Sequence, residues 1–226
     1  MKKILITGAD SYIGTSVEKW LGKDPEKYQV DTVDMRTDSW KEKDFSPYDV
    51  VFHVAGIAHV KETKENQDLY YQVNRDLAYE TATKAKSDGV RQFIFLSSMS
   101  VYGIDTGVID KNSSFNPETS YGKSKFQAEE LISPLKNENF TVTILRPPMI
   151  YGKDCKGNYQ RLAHFALKAP LFPDIKNRRS MLYIDNLCEF IRLMIENEES
   201  GLFFPQNKEY VKTSEMVRLI AEAHGK

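Results

Sequence analysis

The stretch ILITGADSYIGTS, residues 4–16, decides the fold. An apolar, β-branched run stops at Gly8, and a helical pattern starts a few residues on with Gly14 inside it. That is a buried strand, a tight turn and a helix start. Turns of this kind bind dinucleotides when their glycines follow Gly-x-x-Gly-x-x-Gly or Gly-x-Gly-x-x-Gly, because the first amides of the helix and its dipole favour a pyrophosphate. Gly8 and Gly14 hold the first and last glycine positions, Ser11 takes the middle one, and Tyr12 and Ile13 supply the opening amides of the helix. Ser11 is small enough to leave the backbone open, and its hydroxyl can donate to a phosphate oxygen. A bare strand-to-helix turn without a ligand also fits two glycines six apart.

Working outward, short β-branched runs alternate with longer helical patterns, the order that builds a parallel sheet covered on both faces. Strands are expected at Lys3–Thr7, Gln29–Asp34, Val50–Val54, Gln92–Ser97 and Thr141–Arg146, and helices at Ile13–Leu21, Leu69–Asp88 and Tyr121–Leu135. In the second helix Leu69, Val73, Leu77 and Ala85 fall at helical spacing, and Gly89 stops it. The expected architecture is a doubly wound α/β sheet with ligands at the carboxyl ends of its strands. A later helical pattern around Leu187, Ile191, Met194 and Ile195 reads as core, and Thr213-Ser214 reads as a helix cap.

Composition narrows the function. The 226 residues suit one domain, or one large and one small lobe. Basic and acidic side chains number 31 and 32, so global charge does not argue for a nucleic acid or an anionic membrane as partner. The two cysteines, Cys155 and Cys188, lack metal-ligand spacing; no metal is expected, and a reducing, cytoplasmic setting is. No run approaches the ~20 apolar residues of a membrane span. Charge is nonetheless uneven: residues 146–179 carry +6 and the remainder −7, which suggests an anionic ligand meeting the C-terminal part, or simply a solvated basic face.

Asp34 lies 26 positions after Gly8, where a carboxylate accepts hydrogen bonds from the adenosine ribose hydroxyls. It favours NAD, since it would repel a 2′-phosphate. Arg36, beyond Met35, leaves NADP open, because a guanidinium can accept that phosphate. Downstream, FIFLSSMSVYG ends a strand in hydroxyls and YGKSK opens a helix, so Tyr121 and Lys125 share one helical face. A nearby ammonium favours the phenolate and lowers the tyrosine pKa, as a general base for alcohol and ketone interconversion requires. A serine from the strand end can bind the same substrate oxygen.

With TGADSYIG, VFHVAG, the asparagine of QVNRDLA, FLSSMSVYG, YGKSK, LRPPMIYG and RRSMLYIDNL in this order, the sequence resembles the extended short-chain dehydrogenase/reductase family, specifically its NAD-dependent nucleotide-sugar epimerase/dehydratase group. The resemblance implies a Rossmann domain over residues 1–147, with part of 181–197 packed on it. Residues 148–226 would form a small C-terminal substrate-binding lobe, either minimal or cut short at AEAHGK. It implies Tyr121 as catalytic base, Lys125 on the nicotinamide ribose and Ser98 as catalytic hydroxyl. Ser98 is preferred to Ser97 and Ser100 because it stands four residues before Tyr102. Val54, Ala55 and Gly56 would line the cofactor, Asp44 and Phe45 would flank the adenine, and Asn74 would support the site. Pro148 and Ile150 would lie near the nicotinamide. Met149, Asn158 and Arg179 would meet the substrate, Arg179 at its diphosphate. His59 could approach the substrate, whereas a loop residue is its plainer reading.

Two departures matter. Met149 stands where many relatives have an asparagine, and Met99-Ser100 replaces the Asp-Glu pair that dehydration needs. The implied activity is NAD-dependent 4-epimerisation of a nucleotide sugar. The alternatives are NADPH-dependent reduction of a 4-keto sugar or another carbonyl, and dinucleotide binding without catalysis. A homodimer is compatible with the resemblance.

Overall fold

The structure, a computed structural model, describes residues 1–58, 60–104, 106–110, 112–155, 157–168 and 172–225. Strand β1 (Lys2–Thr7) runs into helix α1 (Tyr12–Leu21), followed by β2 (Tyr28–Val33) and β3 (Val50–His53). Next come α2 (Gln67–Tyr71), α3 (Leu77–Ser87), β4 (Gln92–Leu96), α4 (Ser120–Ile132) and β5 (Thr141–Leu145). The five strands expected from sequence are all present, their ends moved by no more than one residue. They pair in parallel, in the order β2-β1-β3-β4-β5-β8, with β8 (Gly201–Phe203) at the far edge.

Because β1 has β2 on one side and β3 on the other, the winding reverses between them. The crevice at the carboxyl ends of β1 and β3 is where such a sheet takes its ligand. Many sheets of this class carry a further strand outside β2. Here the chain returns from β2 to β3 through a single short helical turn at Asp38–Lys41, which leaves β2 as the edge.

The strands alternate their side chains between two apolar layers, as a sheet covered on both faces must. Leu5, Val51, Phe93, Phe95, Val142 and Ile144 pack under α3 and α4 through Ala78, Ala82, Ala85, Ala128 and Ile132. Ile4, Ile6, Val50, Phe52, Ile94 and Leu145 pack under α1 and α6 (Ile184–Glu196), which contributes Leu187, Ile191, Met194 and Ile195.

The single helix expected over Leu69–Asp88 is instead α2 and α3 joined by a π-type turn at Gln72–Asp76. The extra residue shifts the helical phase, so Leu69 is exposed and Tyr70 and Asn74 turn inward. The third expected helix, Tyr121–Leu135, is α4 with a final tight turn at Ser133–Leu135.

Residues beyond β5 form a small two-stranded ladder of β6 (Met149–Tyr151) and β7 (Met181–Tyr183). Helices α5 (Asn158–Lys168) and α7 (Thr213–Ala223) pack beside it through Ala166, Val217 and Ile220. Thr213 does not cap α7 as expected. It is the first helical residue, and the side chain of Asn177 binds both its N–H (2.9 Å) and its hydroxyl (2.8 Å). Among the described residues no helix is long and apolar enough to cross a membrane, and no cluster of His, Cys, Asp or Glu could hold a metal.

Candidate active site

The turn after β1 is built to expose donors. Gly8 has φ +96°, and a Cβ there would lie 2.9 Å from the backbone N and Cα of Ala55, so any side chain would push β1 and the end of β3 apart. The N–H groups of Gly8 and Ala9 donate to Val33 O (2.9 and 3.2 Å), which ties the turn to β2. Ser11 caps α1: its Oγ accepts from Gly14 N–H at 3.1 Å. A Cβ on Gly14 would stand 2.6 Å from that oxygen and 3.2 Å from Val54 Cγ1, so the helix approaches the strand only with glycine here. The hydroxyl proton of Ser11 is left over, and the N–H groups of Tyr12 and Ile13 have no partner among the described residues. This donor cradle fits the pyrophosphate of a dinucleotide. The Tyr12 hydroxyl is buried without a hydrogen-bond partner among the described residues, and burial pushes its pKa up to about 12.

At the end of β2, Asp34 and Arg36 form one unit. The Arg36 Nε donates to both Asp34 oxygens (2.9 Å each), Nη2 donates to one (2.6 Å), and the Arg36 N–H adds a fourth bond. These bonds hold the Asp34 carboxyl below the usual carboxylate range. The guanidinium that could serve a 2′-phosphate is thus engaged by the carboxylate that opposes one, with Asp10 a further 3.8 Å away. Met35 turns into the core.

Asp44 and Phe45 do not flank an adenine site. Phe45 is fully buried, its N–H bonds Asp88 at the end of α3, and Asp44 bonds Ser46. Both precede β3 at the amino end of the sheet, opposite the Gly8 turn, because the shortened β2–β3 connection places that sequence one sheet length away.

The hydroxyls, the phenol and the ammonium converge at the carboxyl ends of β3, β4 and β5. Ser98 follows β4 and caps the short turn Met99–Tyr102, accepting from Ser100 N–H at 3.1 Å. Its hydroxyl donates to Ser100 Oγ at 3.1 Å and stands near Tyr121 on α4. Burial raises the Tyr121 phenol above its ordinary value and Tyr70 adds to the rise, while nearby Ser98 lowers it. Lys125, one turn on, is buried, lies 4.7 Å over the Phe95 ring and donates to Leu96 O at 2.8 Å. Burial pushes its pKa down to about 8. The expected lowering of the tyrosine by Lys125 is therefore not a feature of this structure, because the ammonium is turned toward the end of β4.

Asn74, on the π-type turn, is fully buried. Its Oδ1 accepts Ile57 N–H (2.9 Å), and its Nδ2 donates to Ile57 O (3.1 Å) and Ser124 Oγ (3.2 Å), which fastens the loop after β3 to α4. A Cβ on Gly56 would meet Asn74 Oδ1 at 2.8 Å and Lys125 Nζ at 3.4 Å. His53 is fully buried with Nδ1 2.8 Å from Thr7 Oγ1, and burial holds its imidazole at about 3. Ser97 is buried on Glu129 and unavailable to a substrate.

In the C-terminal part, Met149 and Arg179 meet at one cavity of about 210 Å³ that Leu162, Met181, Val211, Thr213 and Met216 also line. The Arg179 backbone is fixed by two bonds to Val211 (2.9 and 3.0 Å), and its guanidinium has no ion pair among the described residues. Pro148 and Ile150 flank Met149 in the chain and are half-buried, with Ile150 packed on the α1/α6 layer. His59 and the side chain of Asn158 lie outside what is described.

Sequence reading missed two supports. Glu129 continues the spacing of Tyr121 and Lys125 by four more residues, a signal that was available. Glu62 bonds the N–H (3.0 Å) and hydroxyl (2.8 Å) of Ser120, next to Tyr121, across 58 residues of sequence that carry no local signal of the contact.

Comparison with known proteins agrees with this geometry. The profile of the NAD dependent epimerase/dehydratase family matches residues 4–204. A UDP-glucose 4-epimerase of Vibrio cholerae is 31% identical over 98% of this chain and 76% of its own length. An N-acetyl-alpha-D-glucosaminyl-diphospho-ditrans,octacis-undecaprenol 4-epimerase of Escherichia coli O157:H7 is 30% identical, covering 88% of this chain and 64% of that one. Among solved structures, UDP-glucuronic acid 4-epimerase from Bacillus cereus in complex with NAD superposes with a TM-score of 0.84 at 24% identity, over 99% of this chain and 83% of that one. A dTDP-4-dehydrorhamnose reductase from Clostridium acetobutylicum superposes with 0.80 at 22% identity, over 99% and 80%. With the donor cradle, the Ser–Tyr–Lys cluster and the family match over most of its length, this chain belongs to the NAD-dependent epimerase/dehydratase family of enzymes.

Proposed function

We propose that the protein is an NAD-dependent nucleotide-sugar epimerase of the 4-epimerase type. The observation that carries this reading is the neighbouring pair Ser98 and Tyr121 with Lys125 one turn away, set at the same sheet end as the donor cradle of Gly8–Gly14. In this reading Ser11, Tyr12 and Ile13 hold the pyrophosphate, and Asp34 holds the adenosine ribose. Val54, Ala55 and Gly56 line the path to the nicotinamide end, where Lys125 meets the ribose with Asn74 behind it and Pro148 and Ile150 close the side. When bound, NAD supplies a two-electron acceptor that returns what it takes, so net redox change is zero. The Tyr121 phenolate would be favoured, against the rise that burial causes, by the positive nicotinamide ring of bound NAD; Tyr121 then accepts the proton of the sugar 4-hydroxyl while Ser98 hydrogen-bonds the same oxygen, and it returns that proton once the 4-keto sugar has turned over. Arg179 meets the diphosphate and Met149 the adjoining group. A cytoplasmic homodimer belongs to the same reading, supported by the resemblance and by two cysteines free of disulfides.

The test is isomerisation of nucleotide sugars, beginning with UDP-glucose and UDP-galactose, with NAD and no added reductant. Tyr121→Phe should slow turnover by about 10³-fold and leave NAD affinity unchanged. An active Tyr121→Phe enzyme sinks the mechanism. Arg36 beside Asp34 supports a second reading, an NADPH-dependent reductase of a 4-keto nucleotide sugar. Consumption of NADPH with a 4-keto sugar, without isomerisation, would establish it instead.

A further inference from the structure

Behind the proposed catalytic groups lies a fully enclosed ion pair that the chemistry above does not use. Arg146, just past β5, donates through Nε to both oxygens of Glu129 on α4 (3.0 and 3.1 Å), and its second amino group bonds the same carboxylate. Both side chains are about 95% buried. Arg146 Nη1 also donates to Tyr102 Oη at 2.7 Å, and the guanidinium lies 4.6 to 5.9 Å over the rings of Phe115, Tyr102 and Phe204. The Ser97 hydroxyl donates to Glu129 from the other side.

A buried pair of this kind is a poor device for stability alone. Removing two charges from water costs several kcal/mol per ion, and well-packed apolar residues of similar volume do as well or better. What apolar residues cannot do is fix direction. This pair joins three elements that present the reacting groups: α4 with Tyr121 and Lys125, the end of β4 with Ser97 beside Ser98, and the Met99–Tyr102 turn that Ser98 caps. The strand ends are already tied by Ser97 N–H to Leu145 O (2.8 Å) and Met99 N–H to Pro147 O (3.2 Å), so a shift of Arg146 is felt at Ser98.

Charge adds a second role. Lys125 is buried with a single hydrogen-bond acceptor among the described residues, Leu96 O. The titratable groups facing it are His53 on β3, held neutral by burial, and Glu129, the next residue along its own helix face, with Arg146 behind Glu129.

We propose that the Glu129–Arg146 pair is a positioning element of the active site: it orients the strand end that presents Ser98, and its carboxylate is the counter-charge that keeps the Lys125 ammonium charged against the site. The inference rests on the reading of Ser98, Tyr121 and Lys125 as the catalytic set. Glu129→Gln strands a buried guanidinium, so the informative variants are Glu129→Gln/Arg146→Met, which removes both charges, and Arg146→Lys, which keeps the pair. NAD affinity is measured by calorimetry from about pH 6 to about pH 9, alongside thermal unfolding and UDP-glucose isomerisation.

The double variant should fold, bind NAD several-fold more weakly at the upper end of that range, and lose about tenfold in kcat/KM. Its alkaline limb should move down by about one pH unit, because Lys125 loses its counter-charge. Arg146→Lys should keep the wild-type limb. The proposal is overturned if the double variant is folded with a wild-type pH profile. It is equally overturned if neither variant can be recovered folded, since the pair is then scaffolding. Tyr121→Phe is run in parallel: activity in that variant removes the catalytic assignment itself, whereas a dead Tyr121→Phe beside a normal double variant removes only the positioning role.

Discussion

At the carboxyl ends of the sheet nearly every polar side chain is held by another part of the chain: Ser11 by Gly14, Asn74 by Ile57 and Ser124, His53 by Thr7, Lys125 by Leu96 and Glu129 by Arg146. The cavity between β6, α5 and α7 is made differently. Three methionines, a leucine and a valine form its wall, and Arg179 enters it with a fixed backbone and an unpaired guanidinium among the described residues. Chemistry common to many sugars needs groups fixed before the substrate arrives. Recognition of one particular substrate is served by side chains that can still move, and methionine is the most adaptable of the apolar ones. The contrast teaches that the two ends should respond to mutation in different currencies, turnover and stability at the first, KM at the second.

The sharpest way to break that contrast is at Gly8. Gly8→Ala forces an alanine to φ +96° and into the Ala55 backbone at 2.9 Å, so NAD affinity should fall by about a hundredfold, with about 1–3 kcal/mol of stability lost. Calorimetry with NAD and thermal unfolding measure both. Arg179→Ala should raise the substrate KM by about tenfold with kcat and NAD affinity unchanged, the mark of binding lost equally in ground and transition state. A fall in kcat instead would place Arg179 with the fixed end. Asn74→Ala leaves the Ile57 N–H and O without their partner and should cost about 1–3 kcal/mol in urea unfolding; Asn74→Asp, which keeps one acceptor, should cost less. The last effect is one of pH. Burial holds the His53 pKa at about 3, below its unfolded value, so the unfolded chain binds the extra proton between those pKa values. Stability should therefore fall as pH drops below the unfolded histidine pKa and level out only near 3. His53→Asn should flatten that slope.

Much of this was written locally in the sequence. Lys2–Thr7 and the glycines at 8 and 14 specify a strand, a turn and a helix within a dozen residues, and each β-branched run specifies its own strand. Tyr121 and Lys125 are legible for the same reason: four residues on one helix fix their relation before any tertiary contact. Asp44 and Phe45 failed because their assignment depended on the length of a connection. With no strand outside β2, the same residues arrive at the other end of the sheet. Glu62 on Ser120 and Arg146 on Glu129 are contacts between distant segments, and no periodicity encodes them. The direction of Lys125 was also hidden, because it is set by where a buried ammonium can find an oxygen, and that oxygen belongs to Leu96 on another element.

The π-type turn at Gln72–Asp76 is in effect a one-residue insertion that the helix has not ejected. Each residue of an α-helix advances the face by about 100°, so deleting one residue there would restore an unbroken helix and swing Leu69 back toward the apolar layer. The same rotation would carry Asn74 off Ile57 and Ser124. Selection for helical order alone would favour the deletion. Its absence marks a place where the chain keeps an imperfect helix in exchange for a correctly aimed amide, and a library of single deletions across residues 72–76 should yield proteins with a more regular helix here and less activity.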